Sequence, residues 1–397
     1  MRIMFIGAHY HAFHEALEAA GHELMILDYW RWFSMGDEGD ARFTNLWARE
    51  GDALGVDEVN ARCVVAAREF IPDVVVVFKG WKDGQRKIWT RTMRQIKNEL
   101  NSVICYWSVD DPDFVNFWKH DMSAANLWDV ALTCCKASVE VYRNCGVKDP
   151  HYFLPAYDPA WPVDDSEAWD DAVKRELPEV VPESIDVSIV GSPYWSGSAV
   201  DVARTKVALA CIDAGFSVKV FGPEVWTKNT RHEVRAAHSG ATNPFLCGDE
   251  RLKAHYGGML QHDDVWIPYR SSKIVFNNHL RNPLHTGGGH GDAYLGYCND
   301  KLFQIAGTGG GTQLIDWNPG ISPDVYEADV EILEYKCSRS DEECLDAAMS
   351  QIHWLLENED KRREISAAAK DRTFRDHLWS HRADHLLEIV ESHVKSK

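Results

Sequence analysis

The sequence lacks the long apolar runs and the targeting segment that mark membrane and secreted proteins. No uninterrupted apolar stretch approaches the roughly 20 residues that a membrane helix requires. Residues 1–7 (MRIMFIG) lead directly into the pattern of a buried strand, so we expect no signal peptide. These absences predict a globular, cytoplasmic protein without membrane insertion.

The chain also lacks paired cysteines and an excess of positive charge. Ten cysteines are scattered without a C-x-x-C spacing, and Cys134 and Cys135 are adjacent. We expect all of them to be reduced thiols, neither zinc ligands nor a disulfide framework. The net charge of −19 at pH 7 argues against broad electrostatic binding to nucleic acid or to an anionic membrane.

Strand and helix patterns alternate twice along the 397 residues, a length that favours two domains. The order strand, glycine, helix, Ala-Gly, strand occurs in residues 2–28 and again in residues 185–221. Continuous apolar strands such as the four valines at 74–77 indicate a parallel sheet covered on both faces. The sequence therefore predicts an α/β fold with two Rossmann-like domains. The predicted segments are a first domain at residues 1–165, an acidic linker at 166–184, a second domain at 185–375 and a last helix at 376–397.

The stretch at residues 297–320 reads YCNDKLFQIAGTGGGTQLIDWNPG and combines a helix, glycines and a strand. An amphipathic helix starts at Lys301 and runs into Gly307, and a short strand ends at Asp316. A helix N-terminus beside bare backbone is an anion site, and Lys301 adds a positive charge to it. The alternative is an ordinary helix-to-strand connection in which the glycines form only the C-cap and a turn.

This stretch resembles the donor-site region of GT-B glycosyltransferases, in particular the CgeB-like branch close to families 1 and 4. That branch has an N-x-(K/R)-x-F-E helix, a glycine-containing turn and a strand ending in aspartate. The matching residues are Asn299, Lys301, Phe303, Gln304, Gly307, Ile315 and Asp316. Further landmarks of the resemblance are residues 5–7, 72–74, 107–112, 189–192 with Arg204, and 269–274.

One departure from the family concerns carboxylates. Gln304 stands where the family has an acidic residue, and Gly296 stands where many retaining members have a second glutamate. An amide still forms hydrogen bonds with hydroxyl groups, but more weakly than a carboxylate does.

The resemblance implies two domains that face each other across a cleft, with a last helix that crosses back to the first domain. It implies transfer of a sugar from a nucleotide-sugar donor, expected to be a UDP-sugar, to an acceptor hydroxyl. The donor is expected on the second domain and the acceptor on the first. The reaction is expected to be retaining and metal-independent, without a further cofactor.

Donor binding requires positive groups that neutralise the leaving diphosphate. We favour Arg270, placed near a strand end, because a guanidinium forks onto a diphosphate. Lys273 is a second candidate, although a strand-end lysine also reaches into solvent without binding anything. The remaining donor candidates are Lys301, Gln304, Gly309, Gly310, Gly311, Ser192 and Asn299. The glycine loop at residues 287–291 is more consistent with a surface loop than with a binding site.

On the acceptor side, Asp110 and Asp111 follow a buried strand at the edge where ligands bind in open α/β sheets. We predict Asp110 as the base or orienting carboxylate, and Asp111, directly before Pro112, as an N-cap. The D-x-D pattern that begins at Asp111 does not predict a metal site on this fold. His11 is a third catalytic candidate, because His9, His11 and His14 share the first strand–helix loop.

Two other functions remain open at this point. One is a DNA glycosyltransferase that acts on hydroxymethylated bases of phage DNA, and the other is a non-catalytic nucleotide-sugar or glycan-binding protein. The residues leave open the donor sugar and base, the acceptor, the stereochemical outcome and the oligomeric state.

Overall fold

The computed structural model describes residues 1–7, 10–27, 56–78, 88–109, 122–160, 183–195, 202–233, 245–260, 264–279, 296–336 and 340–396. The chain divides into two compact units, one formed by Met1–Leu154 with Trp379–Lys397 and the other by Pro155–Leu378. Residues 166–182 of the predicted linker lie outside the described residues.

The first unit contains a six-stranded sheet in which all neighbours are parallel, in the order β2-β1-β3-β4-β5-β6. The central strand β3 is buried along its whole length, as the run of valines predicts. The strands are β1 (Arg2–Ile6), β2 (Glu23–Leu27), β3 (Val74–Phe78), β4 (Val103–Ser108), β5 (Val130–Thr133) and β6 (Asp149–Tyr152).

Helices connect these strands and bury one face each against the sheet. They are α1 (His11–Ala19), α2 (Val56–Phe70), α3 (Thr90–Leu100) and α4 (Ser138–Asn144). In α2, Asp57 and Glu58 occupy the first turn and Arg68 the last, which complements the helix dipole. The apolar sides of α2 and α3 form one core with β1, β3 and β4. This alternation of strand and helix places every strand's carboxyl end at one edge of the sheet.

The second unit contains another parallel six-stranded sheet, in the order β12-β9-β7-β13-β14-β15. Its central strands β7 and β13 pair with each other, and both contribute side chains to the hydrophobic core of this unit. The strands of this unit are β7 (Ile185–Val190), β8 (Tyr194–Trp195), β9 (Val218–Phe221), β10 (Thr230–Glu233), β11 (Phe245–Gly248), β12 (Tyr256–Gly258), β13 (Ser272–Phe276), β14 (Thr312–Asp316) and β15 (Leu333–Tyr335). Its helices are α5 (Arg204–Asp213), α6 (Trp266–Ser271), α7 (Lys301–Thr308), α8 (Asp341–Glu357) and α9 (Glu359–Asp376).

A second, smaller sheet in this unit has no counterpart in the sequence-based predictions. Strands β10, β11 and β8 pair antiparallel in that order. Each is at most four residues long, and β10 and β11 lie eleven residues apart in sequence. Strands this short carry too few residues for an alternating pattern to be recognised.

The structure corrects two local predictions in the second unit. Arg270 lies in the last turn of helix α6, and β13 begins only at Ser272, so Arg270 is not at a strand end. Helix α7 does not stop at Gly307 but continues to Thr308, and Gly309 caps it in the left-handed conformation with φ of 68°. Gly307 instead lies under the ring of Tyr157, because a Cβ on it would come within 2.4 Å of the ring carbons.

The cysteine prediction is wrong at one position. The eight described cysteines outside α8 are free, and six of them are buried. Burial raises the pKa of the Cys63 thiol to about 12, which keeps that group protonated and unreactive. Cys344, near the start of α8, is disulfide-bonded. A single disulfide has no spacing signature of the kind that reveals a disulfide framework or a zinc site.

The last helix, α10 (Trp379–Lys395), belongs to the first unit and packs against α1. The ring of Trp379 stacks on Tyr10 with centroids 4.5 Å apart, and Arg382 Nε donates to the Leu154 carbonyl at 3.1 Å. Across the described parts of the chain, none of the helices is long and apolar enough to cross a membrane.

Candidate functional site

Two glycines bring bare backbone together at the carboxyl edge of the second sheet. Gly191 follows β7 with φ of 128°, and Gly222 follows β9 with φ of 143°. A Cβ on Gly222 would lie 2.3 Å from the Gly191 carbonyl oxygen, so only glycine permits this approach. Trp226 Nε1 donates to the same oxygen at 2.8 Å and holds the turn. The carboxyl edge of an open parallel sheet is where ligands bind in this class of fold.

The guanidinium of Arg204 reaches back from the first residue of α5 to this edge. Its Nη1 donates to the Ser192 carbonyl at 2.8 Å, and its Nε and Nη2 donate to the side-chain and main-chain oxygens of Asn278, both at 2.7 Å. Arg204 is buried, and these three acceptors are neutral oxygens. The site therefore contains a fixed, buried positive charge.

Lys301 adds a second positive charge at the same point of the backbone. A Cβ on Gly191 would lie 3.1 Å from Arg204 Nη1 and 3.4 Å from Lys301 Nζ. Burial, and then the charge of Arg204, lower the pKa of Lys301 to about 8, while Asp300 acts in the opposite direction. Lys301 begins helix α7, and the Asp300 side chain caps that helix by accepting from the Lys301 N–H at 2.8 Å. Two cations beside a bare glycine form a site for an anion.

A buried amide network positions the start of α7 relative to β13. Asn277 Nδ2 donates to Gln313 at 2.7 Å and to Asn299 Oδ1 at 3.1 Å, and Asn299 Nδ2 donates back to Asn277 Oδ1 at 3.0 Å. Asn299 Oδ1 also accepts from the Leu302 N–H at 3.0 Å, inside the first turn of the helix. These contacts hold the helix end that carries Lys301.

A family model described as glycosyl transferase-like matches residues 204–388, a span that begins at the buried arginine of this site. The chain has the GT-B fold, and its second half is similar to this glycosyl transferase-like family. The resemblance to GT-B glycosyltransferases is thereby confirmed at the level of the fold, and the family match supports a transferase. A search of curated proteins finds no match.

Solved structures of GT-B enzymes are similar over nearly the whole chain. Anabaena HepE in complex with UDP-glucose has a TM-score of 0.57 at 12% identity, covering 99% of this chain and 100% of its own. A glycosyltransferase from Rickettsia africae has a TM-score of 0.57 at 8% identity, covering 100% and 99%. An alpha-glucosyltransferase in complex with UDP and a 13-mer DNA has a TM-score of 0.57 at 10% identity, covering 98% and 100%.

In this GT-B chain the donor candidates predicted from sequence fall into two groups. Ser192, Asn299, Lys301 and Gln304 lie at or near the carboxyl edge: Ser192 accepts from Arg204, Asn299 holds the start of α7, and half-buried Gln304 is the fourth residue of that helix. The structure brings Ser192, Asn299 and Lys301 together around the glycine turn after β7.

The other donor candidates lie at the amino edge of the same sheet. Gly311 precedes β14 and donates its N–H to the Tyr269 carbonyl at 2.7 Å, and a Cβ on Gly310 would lie 2.5 Å from the Arg270 Cα. Lys273 Nζ is 2.8 Å from Asp186 Oδ1 at the start of β7. In a parallel sheet these positions are a strand length away from Lys301. The glycine triplet thus serves as C-cap and close-packed turn, the alternative that the sequence also allowed.

The acceptor-side candidates are described only in part. His11 is the first residue of α1, and its side chain lies outside the described residues. His14 is buried in the same helix, with its ring 4.5 Å from Phe5. Asp110 and Asp111 lie outside the described residues, as do His9 and residues 287–291.

Arg204 and Asn278 are the site residues that the sequence-based candidates omitted. Arg204 was recognised as a family landmark, but its position on a helix start did not reveal that the guanidinium turns back to the glycine after β7. Among the side chains that the structure describes, no group of three or more histidine, cysteine, aspartate or glutamate residues has the arrangement of a metal site.

Proposed function

We propose that this GT-B chain transfers a sugar from a UDP-sugar to an acceptor hydroxyl, and that Arg204 and Lys301 bind the donor diphosphate. The observation that carries the proposal is the meeting of the two cationic side chains at Gly191, on the carboxyl edge of the donor-domain sheet. Similar structures were solved with UDP-glucose and with UDP, which supports a uridine nucleotide as the donor.

The leaving diphosphate gains negative charge as the bond to the sugar breaks, so groups that stabilise this charge accelerate the reaction. Arg204 is held by hydrogen bonds to Ser192 and Asn278, and this preorganisation lowers the cost of binding the transition state. Helix α5 starts at the same point without a side-chain cap from Ala203, so its dipole adds to the positive potential. With two cations and a helix end in place, we propose a metal-independent reaction.

For the acceptor side, Asp110 remains our proposed base or orienting carboxylate, with Asp111 as an N-cap and His11 as a further catalytic candidate. The stereochemical outcome we propose is retention, on the strength of the family resemblance. Proton NMR of the first product formed from an α-linked donor tests this, since an α-linked product supports retention and a β-linked product refutes it.

The decisive experiment compares the two edges of the sheet. Arg204→Met and Lys301→Met should each weaken UDP binding by about 10–100-fold, because a charge-assisted hydrogen bond is worth about 1.5–3 kcal/mol. Arg270→Met and Lys273→Met remove the same charges at the amino edge and serve as matched controls that should retain affinity. Calorimetry with UDP and turnover of radiolabelled UDP-glucose are the measurements. The reverse pattern would return the donor site to Arg270 and Lys273.

A DNA acceptor is the second candidate, favoured by the similarity to an alpha-glucosyltransferase solved with DNA. The net charge of −19 opposes it, because DNA binding depends on neutralising phosphates with lysine and arginine. Transfer of label from UDP-glucose to hydroxymethylated DNA at low salt, with loss of binding as salt rises, would establish this acceptor. Transfer to free water alone, with no shift of DNA in a gel, would exclude it.

A further inference from the structure

One peptide group at the carboxyl edge of the second sheet is held by hydrogen bonds on both sides. The carbonyl of Asn278 accepts a hydrogen bond from Arg204 Nη2 at 2.7 Å, and the N–H of His279, in the same planar unit, donates to Asp316 Oδ1 at 2.7 Å. Because a peptide group is rigid and planar, rotation at one end moves the other. The orientation of the oxygen that holds Arg204 is thus coupled to the contact with Asp316.

The imidazole of His279 strengthens the contact on the Asp316 side. Ring Nδ1 lies 2.9 Å from the same Asp316 Oδ1 that accepts the backbone N–H, and both side chains are almost fully buried. Asp316 is the last residue of β14, and pairing with β15 fixes its backbone. His279 and Asp316 therefore form a buried clamp on the peptide that follows Asn278.

Stability alone does not account for this pair. His279 Nε2 is buried and makes no hydrogen bond with any part of the chain that the structure describes. A buried polar atom without a partner lowers the stability of the folded state, and an apolar side chain would avoid that cost. Local features of this kind are concentrated at sites selected for function rather than for stability.

We propose that His279 and Asp316 are positioning residues for donor binding, which act by fixing the Asn278 peptide that orients the Arg204 guanidinium. This inference rests on the proposed role of Arg204 in binding the diphosphate. His279 itself does not contact the donor in this proposal, and its effect on affinity passes entirely through Arg204.

Two substitutions of His279 distinguish the roles of its two ring nitrogens. His279→Asn places an amide N–H near the position of Nδ1 and retains a donor for Asp316, whereas His279→Gln places its amide near Nε2 and loses that donor. We expect H279Q to weaken UDP binding by about tenfold, as is common when a partner that orients a binding group is removed. H279N should bind UDP within about twofold of the unsubstituted chain, since it rescues the orienting contact.

A double-substitution cycle with Arg204→Met then tests whether His279 affects UDP binding through Arg204. If His279 acts through Arg204, H279Q should cause no further loss of UDP affinity in the R204M background. Additive losses, or H279Q affinity equal to that of the unsubstituted chain, would overturn the inference. Asp316→Asn is the milder second variant should H279Q not fold, because it replaces a charged acceptor by a neutral one of the same shape. It should show a smaller loss with the same non-additivity, and additive losses from it count equally against the inference.

Failure of the proposed function has a different signature. If the unsubstituted chain does not bind UDP or UDP-glucose, or if R204M binds UDP unchanged, the role of Arg204 is wrong and the positioning role falls with it. If R204M weakens binding but the losses from H279Q and R204M add, only the positioning role is wrong.

Discussion

Lys301 should cost the protein stability in the absence of a ligand. Its pKa is lowered from 10.5 to about 8, first by burial and then by the charge of Arg204. At about 1.36 kcal/mol per pKa unit, this corresponds to roughly 3 kcal/mol by which the folded state disfavours the charged form, as an upper limit. Replacing Lys301 by methionine, which has a similar length and no charge, should therefore stabilise the unliganded protein by about 1–3 kcal/mol at pH 7.

The pH dependence of this gain follows from the sign of the pKa change. Between pH 8 and pH 10.5 the unfolded chain binds more protons at this lysine than the folded chain does, so the stability of the unsubstituted protein rises with pH. The advantage of Lys301→Met should be complete below pH 8 and disappear as the pH approaches 10.5. Urea denaturation at pH 7 and pH 9.5 measures both values.

Saturating UDP should reduce the stability advantage of Lys301→Met by about 1.3–2.3 kcal/mol. At a ligand concentration of 100 times Kd, the unsubstituted protein gains about 2.7 kcal/mol, whereas a variant that binds about 10–100-fold more weakly gains far less. Lys206→Met is the matched control, since Lys206 is exposed on α5 and should show neither effect. A K301M protein that is no more stable than the parent without UDP, or that gains as much from UDP, would refute the assignment.

Three further changes test the surroundings of the site. Gly307→Ala should destabilise the protein by about 1–3 kcal/mol in urea unfolding, because the new methyl group overlaps the Tyr157 ring, and the loss should shrink in a Tyr157→Leu background. Glu334→Gln should raise the stability of the protein at pH 8. Burial, and then the charge of Asp316, raise the pKa of Glu334 from 4.5 to about 7, so the folded protein favours the protonated side chain. The stability that this protonation gives the parent protein is complete below pH 4.5 and is lost as the pH rises through 7. A parent protein with flat stability between pH 4.5 and pH 8 would contradict this. Lys273→Met should lower the free energy of unfolding by at most about 1 kcal/mol, because its ion pair with Asp186 is partly exposed. An accompanying loss of UDP affinity would contradict the assignment of the donor site to the carboxyl edge of the sheet.

The central strands of the two large sheets could be predicted from the sequence because strands buried on both faces are continuous apolar runs. The predicted strand with four valines at residues 74–77 falls within β3, and the predicted strand that ends at Asp316 coincides with β14. Helix ends were less predictable, since α7 passes through Gly307 where the local pattern predicts an end. The ring of Tyr157, about 150 residues away in sequence, decides that position. Long-range packing of this kind leaves no trace in the local sequence.

The donor site could be predicted only in part, because the same residue types serve two purposes. A glycine that lets backbone approach an anion and a glycine that lets two backbone segments touch look identical in sequence. The triplet at Gly309, Gly310 and Gly311 is of the second kind, whereas Gly191 lies beside two cations. Charge raises the same difficulty, since Lys273 is neutralised by Asp186, on a neighbouring strand far away in sequence.

The arrangement at Gly191 is costly for a protein that binds no anion. Arg204 is buried, Lys301 is close enough to have its pKa lowered by that charge, and each would approach a Cβ on Gly191 within 3.4 Å. Two like charges held together in a partly dry site repel each other, and burial adds to the cost. A bound diphosphate removes both penalties at once, since it attracts each cation and restores the preference of Lys301 for its charged form. The free energy released in this way is available for binding the leaving group, which is where glycosyl transfer from a nucleotide sugar needs it.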